Sequence, residues 1–210
     1  MSLRARTASK LVSTLVATGL PAATAVMVSV LNPAPAVAWE TEVPCDFLTG
    51  GGYIIYRGAH ANFGVGGGCK QGSPTWGHLE YIDHGTGLNV HWTSITGYMA
   101  FENEMGPPDP KTGQPTGVRY VCGTARTNQY GDVNFVVRAK DAGEPGVNDQ
   151  FDIVLKNPTT HAVVYNTLLE CGYHYLGSSC TPGTSGGGNI QLHKPNPSTT
   201  GTFGGNCDFN

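Results

Sequence analysis

Val133-Asn134-Phe135-Val136-Val137-Arg138-Ala139-Lys140 is the stretch that decides the fold. Val133, Phe135, Val137 and Ala139 fall on one side of an extended chain, and Asn134, Arg138 and Lys140 on the other. Side chains of a strand alternate with period two, so this pattern gives the half-buried antiparallel strand with one wet face. Working outward, similar short segments recur at residues 52–57, 59–65, 76–82, 88–95, 118–127, 151–156, 162–169 and 189–193, with turn residues between them. No stretch keeps a helical apolar period. About nine strands at this spacing predict an all-β fold, either an antiparallel β-sandwich or a closed β-barrel.

Two regions break the pattern. Pro107-Pro108-Asp109-Pro110-Lys111-Thr112-Gly113 opens a long loop over residues 107–117, because consecutive prolines cannot continue a strand ladder. Residues 194–210 are rich in Gly, Ser and Thr and are expected as a loosely ordered tail until Cys207 ties them down.

The first 38 residues carry the layout of a secretory signal. Arg4, Arg6 and Lys10 form a positive start, an apolar run spans residues 11–31, and Ala36-Val37-Ala38 is a small-x-small cleavage site before Trp39. An uncleaved anchor is the alternative, since the run is about long enough to span a bilayer; Gly19 and Pro21 interrupt it and favour cleavage. Residues 39–210 then form a single domain with one core, and no later segment is apolar enough to span a membrane. Removal of the signal leaves nine Lys and Arg against fifteen Asp and Glu, a net charge of −6. An acidic surface without a basic cluster argues against nucleic acid or an anionic membrane as partner.

Cys45, Cys69, Cys122, Cys171, Cys180 and Cys207 all follow the cleavage site. An even count in an exported chain predicts disulfides, and the absence of short C-x-x-C pairs argues against zinc–thiolate sites. The expected pairing is Cys171–Cys180 closing a short loop, Cys45–Cys207 near the termini, and Cys69–Cys122 between strands. A further hint is internal. Thr49-Gly50-Gly51-Gly52-Tyr53-Ile54 resembles Thr184-Ser185-Gly186-Gly187-Gly188-Asn189-Ile190, each a glycine run entering a strand. A first and a last strand built alike are natural neighbours if the sheet closes on itself.

The order of several motifs also resembles a known family. Thr49-Gly50-Gly51-Gly52-Tyr53-Ile54 is followed by Ala61-Asn62-Phe63-Gly64 and by Gly77-His78-Leu79-Glu80-Tyr81-Ile82-Asp83. Asp141-Ala142-Gly143-Glu144-Pro145-Gly146-Val147-Asn148-Asp149-Gln150-Phe151-Asp152-Ile153 and Gly188-Asn189-Ile190-Gln191-Leu192-His193 complete the series. Together they are similar to a family of secreted, Gly-rich bacterial β domains of unknown function, often modules at the end of larger extracellular proteins. The resemblance implies export and a compact β fold; it implies no activity and no catalytic residue. The cysteines and the segment 107–117 depart from the family pattern.

Several constellations are candidates for chemistry. A two-residue turn at His84-Gly85 sets Leu79 opposite Val90 and Tyr81 opposite Leu88, with His78 across from His91 and Glu80 across from Asn89. Two histidines about 5 Å apart at Cβ, with the Glu80 carboxylate, make a zinc ligand set; the alternative is a solvated polar face. Asp141, Glu144, Asn148 and Asp149, followed by Asp152, offer oxygens for Ca²⁺ within a tight Gly/Pro turn. The same residues equally suit a turn that bonds its own backbone. Gly183-Thr184-Ser185-Gly186-Gly187 matches G-x-S-x-G, with His60 and Asp83 upstream as triad partners; Thr184 stands where chymotrypsin-like proteases have Asp. Glu80, Glu102 and Glu104 are the carboxylates for a glycosidase pair, and Trp76, Trp92, Tyr98 and Phe101 for a carbohydrate-stacking platform. The run Gly64-Val65-Gly66-Gly67-Gly68 lacks a following helix and does not suit nucleotide binding.

The expectation is a secreted, non-catalytic module that binds an extracellular protein, a glycan or a surface, with no required cofactor. A secreted serine- or carboxylate-dependent hydrolase is one alternative, and a Ca²⁺- or Zn²⁺-dependent extracellular module the other.

Overall fold

Alternation, not propensity alone, makes these segments strands. Val133, Phe135, Val137 and Ala139 are all buried on one side of their strand, as the period-two pattern requires. The computed structural model describes residues 44–183 and 186–209; the expected signal, Thr184, Ser185 and Asn210 lie outside the described residues. Nine strands match the expected segments: β1 (Phe47–Tyr56), β2 (Ala59–Lys70), β3 (Ser73–Asp83), β4 (Leu88–Met99), β6 (Thr116–Thr127), β7 (Gly131–Asp141), β8 (Gln150–Lys156), β9 (Val163–Asn166) and β10 (Gly188–His193). Two short ones join them, β5 (Met105–Gly106) and β11 (Gly204–Gly205).

All eleven belong to one antiparallel sheet in the order β10-β1-β2-β3-β4-β6-β7-β8-β9, with β5 on β6 and β11 on β4. The sheet is open. Strands far apart in this order bear on one another through side chains: Phe63 of β2 stacks on Phe151 of β8 with centroids 3.8 Å apart, and the hydroxyls of Tyr81 in β3 and Tyr165 in β9 meet at 2.7 Å. Burial raises the pKa of both phenols, so the pair stays neutral and hydrogen-bonded in the core.

The first and last long strands are neighbours, as their glycine runs suggest, but this pairing does not close the sheet. Gly52 faces Gly188. A Cβ on Gly52 would lie 2.1 Å from the Gly187 carbonyl oxygen, and one on Gly188 would lie 2.1 Å from that of Gly51. Only glycine allows the two backbones to come so close. The outer edge of β10 is covered by carboxylates: Asp149 Oδ2 accepts from Ile190 N and Asp141 Oδ2 from Leu192 N, each at 2.8 Å. An edge bonded in this way offers fewer free donors to a second chain.

The strand expected over 162–169 stops at Asn166, because Asn166 Oδ1 accepts from Leu168 N and turns the chain into the short helix α1 (Leu168–Cys171). Of the loose tail expected over residues 194–210, the described part places Phe203 in the core and pairs β11 with β4.

All six cysteines form disulfides. Cys171–Cys180 is as expected, but the other two pairs are Cys45–Cys69 and Cys122–Cys207. The β1–β2 hairpin sets Phe47 opposite Gly68, which brings Cys45 beside Cys69. The C-terminal segment runs along β4, where Gly97 faces Cys122, and so delivers Cys207 to β6 instead of to the start of β1. Among the described residues, no helix is long and apolar enough to cross a membrane.

Candidate functional site

The outer face of β7 is only partly wet. Arg138, assigned to the polar side by the alternation, is 8% exposed. It lies in a cleft of about 700 Å³ walled by Asn103, Glu104 and the 107–110 segment on one side and by Tyr173 and Tyr175 on the other, with Gln150 and Lys140 beside it. Val136 breaks the polar series on that face, which is the sequence signal that something covers it. A second groove of about 330 Å³, lined by Val136, Val154, Val163, Leu168 and Phe209, also borders Arg138.

Local chemistry builds each wall. Asp109 shapes the proline-rich loop: its Oδ1 accepts from Lys111 N, Thr112 N and Thr112 Oγ1, and those bonds hold its carboxyl below the usual range. Glu104 sits in a 3-10 turn (Glu102–Glu104), where its Oε2 accepts from the Tyr120 hydroxyl at 2.8 Å. Burial, then the bond to Glu104, raises the Tyr120 pKa.

The opposite wall is pinned from within. Between the two tyrosines, His174 is fully buried; its Nδ1 meets Asp152 Oδ1 at 2.8 Å and its Nε2 meets Glu170 Oε2 at 3.3 Å. Burial pulls the imidazole pKa down, but the bonds to Asp152 and Glu170 outweigh it and the pKa is raised. Thr167 Oγ1 also donates to Asp152, and Tyr175 bridges to Gln150. With His174 anchored inward and the Cys171–Cys180 disulfide closing the loop, Tyr173 and Tyr175 line the cleft.

The Arg138 guanidinium lies over the Tyr173 ring, 4.0 Å from its centroid, and Nη1 donates to Gln150 Oε1 at 2.9 Å. Its Nε is 3.9 Å from Glu104 Oε1, beyond hydrogen-bond reach. Among the described residues, Arg138 Nε is the one buried side-chain nitrogen or oxygen that makes no hydrogen bond. Leaving such a donor unpaired costs about 1–3 kcal/mol, more for a charged group.

The residues singled out in the sequence are placed differently. The β3–β4 hairpin turns over four residues, not two, so Glu80 faces His91 and Tyr81 faces Val90. The cause is Asp83, whose carboxylate accepts from Gly85 N, Thr86 N and Thr86 Oγ1. His91 Nδ1 pairs directly with Glu80 Oε1, whereas His78 lies against Gly66 of β2. In the 141–149 loop, Asp141 also accepts from Gly143 N and Asp149 from Ala142 N, Glu144 accepts from Asn189 Nδ2, and Asn148 is exposed. Among the described residues, no three His, Cys, Asp or Glu side chains group as ligands of one metal ion.

Of the triad residues, His60 stacks on Tyr53, Asp83 is bound to its own turn and to Tyr165, and Ser185 lies outside the described residues. The aromatic platform is not assembled: Tyr98 is buried on Asp46, Trp92 packs on the core, Trp76 faces Lys70, and Phe101 joins Tyr120 and Phe209. Of Glu80, Glu102 and Glu104, only Glu104 lines the cleft. Sequence reasoning missed Arg138, Gln150, Tyr173 and Tyr175 as site residues.

No protein-family model matches the chain, and no curated protein or solved structure is significantly similar to it.

Proposed function

We propose that this protein is an exported, non-catalytic binding module whose ligand occupies the cleft over Arg138. The observation that carries this is a guanidinium fixed by Tyr173 and Gln150 in the wall of the cleft, beside a Tyr173 ring that is about half exposed. Concave sites with a few fixed polar groups among aromatic side chains are the usual form of a small-ligand site. Export rests on the signal layout of the first 38 residues and is in keeping with three disulfides. The resemblance to secreted Gly-rich bacterial β domains belongs to the same reading. So does a sandwich-like curl of the open sheet, supported by the Phe63–Phe151 and Tyr81–Tyr165 contacts across it.

The test is a binding screen of the exported protein on mixed arrays of glycans, extracellular-matrix proteins and cell-wall fractions, run beside Tyr173→Ala. Tyr173 is 48% exposed, so the variant should keep the fold. A ligand bound by the wild type and at least tenfold weaker on the variant is the expected result. Binding unchanged by Tyr173→Ala would move the function elsewhere on the molecule.

A further inference from the structure

The geometry points to a pH-sensitive latch behind the cleft: a charged His174, clamped between two carboxylates, holds α1 and Tyr173 against the sheet and releases them when it loses a proton. His174 is fully buried, and both ring nitrogens face carboxylate oxygens, Nδ1 at 2.8 Å from Asp152 and Nε2 at 3.3 Å from Glu170. A neutral imidazole has one donor and one acceptor nitrogen, whereas an ionised carboxylate can only accept. Two carboxylates on opposite nitrogens therefore call for a proton on each, which is the imidazolium. Loss of one proton turns one of the two bonds into a contact between lone pairs. Asp152 is also bonded by Thr167 Oγ1 and by His174 N, and its side chain is fully buried. The longer bond, to the partly exposed Glu170, is the one that gives way.

The groups around the ring fit a charged clamp. Asp152 stands across from Arg138 of β7, so Arg138 and His174 together balance Asp152 and Glu170. Burial raises the Asp152 pKa, and the bonds from His174 and Thr167 pull it back. Tyr56 of β1 meets the imidazole edge-on, and burial raises its phenol pKa, so it adds no charge near neutrality. Tyr81, Tyr165 and Asp83 bond one another further back, and Cys171 beside Nε2 is in a disulfide. Burial lowers the His174 pKa, but the bonds to Asp152 and Glu170 raise it above its ordinary value. The latch is closed below that pKa and opens as pH rises through it. What it holds is lightly fixed: α1 has no buried residue, and Glu170 ties it down through His174 Nε2 and Arg57 N. Leu176 N and Gly177 N are bonded to Asp149 and Tyr53 carbonyls, and the Cys171–Cys180 disulfide tethers α1, so the opening is confined to residues 168–173. Control of binding through Tyr173 rests on the cleft being the binding site; the latch itself does not.

The experiment is amide hydrogen exchange of the exported full chain from pH 6 to pH 9, corrected for the intrinsic pH dependence of exchange, beside an NMR titration of the His174 ring. Wild type and Glu170→Gln are compared, with thermal melting at pH 6 as the check that the variant is folded. The ring should titrate above 6.5. Protection of residues 168–173 should fall about tenfold as pH passes that midpoint, while β6 and β7 keep theirs. Glu170→Gln should lower the midpoint and leave residues 168–173 already weakly protected at pH 6. A ring that titrates at or below 6.5, or not at all up to pH 9, would overturn the switch. Titration above 6.5 with unchanged protection of residues 168–173 would make His174 a static anchor and overturn the latch. So would an equal loss over β6 and β7, which is global unfolding, or a Glu170→Gln protein that behaves as wild type. None of these readouts needs a ligand, so a failed binding screen and a failed latch are separate results.

Discussion

Two buried arginines on neighbouring strands are treated differently by this fold. Arg119 of β6, 0% exposed, gives Nε and Nη2 to the Asp46 carboxylate and Nη1 to the Val118 carbonyl. Tyr98 donates to the same carboxylate, and the Phe203 ring lies beneath the guanidinium. Arg138 of β7 bonds Gln150, lies over the Tyr173 ring and faces Tyr120 and, at 3.9 Å, Glu104, with no hydrogen bond at its Nε. The first is satisfied from within the chain and ties the start of β1 to the sheet. The second is held by fewer bonds and lies in the wall of the cleft. A buried charge saturated by its own fold is a structural joint, and one left short is where binding is expected.

The joint should break hardest. Asp46→Ala leaves Arg119 buried without its partner, and urea unfolding should show a loss of about 3–5 kcal/mol; a loss under about 1 kcal/mol would deny the joint its role. Next comes the pin behind the cleft. His174→Gln removes the bond to Asp152 on a fully buried carboxylate, at about 1–3 kcal/mol, and should weaken ligand binding through Tyr173 and Tyr175. Unchanged binding in a folded His174→Gln would separate the pin from the site.

The pH dependence should follow with a defined sign. Burial pushes the Asp149 carboxyl up from 3.8 to about 6. Between those values the folded chain keeps a proton that the unfolded chain has lost, so stability falls as pH rises from about 4 to 6, by on the order of 2 kcal/mol. His174, raised above its ordinary 6.5, holds a proton that the unfolded chain releases, and extends the loss above that pH. Thermal melting from pH 4 to 8 should show this decline, and Asp149→Asn should flatten its lower part. The smallest effect belongs to the exposed Glu80–His91 pair: the double alanine variant should change stability by less than about 1 kcal/mol.

The long strands were legible in the sequence because period-two alternation is a local signal. β5 and β11 were not, since two-residue ladders exist only where a distant strand meets them. The hairpin register slipped by two because His84-Gly85 looks like a complete turn until the Asp83 carboxylate is seen to organise residues 84–87. Asp141 and Asp149 carry the oxygen-rich signature of an ion loop, yet they serve backbone donors of β10, which lies some forty residues further on. The cleft was the least legible part. Glu104, Arg138, Gln150 and Tyr173 come from four separate segments, and their convergence depends on the β5–β6 pairing and the Cys171–Cys180 loop. Val136 on the face of Arg138 was the available clue.

The contrast between the arginines is tested most directly by replacing each with methionine and comparing urea unfolding of Arg119→Met and Arg138→Met. The account predicts a loss of about 3–5 kcal/mol for Arg119→Met, which strands the buried Asp46, and a smaller loss of about 1–2 kcal/mol for Arg138→Met, which unpairs the buried Gln150 Oε1 but leaves a Glu104 that is only partly buried. Equal, large losses in both would make Arg138 a second structural joint and contradict the assignment of the cleft as the binding site.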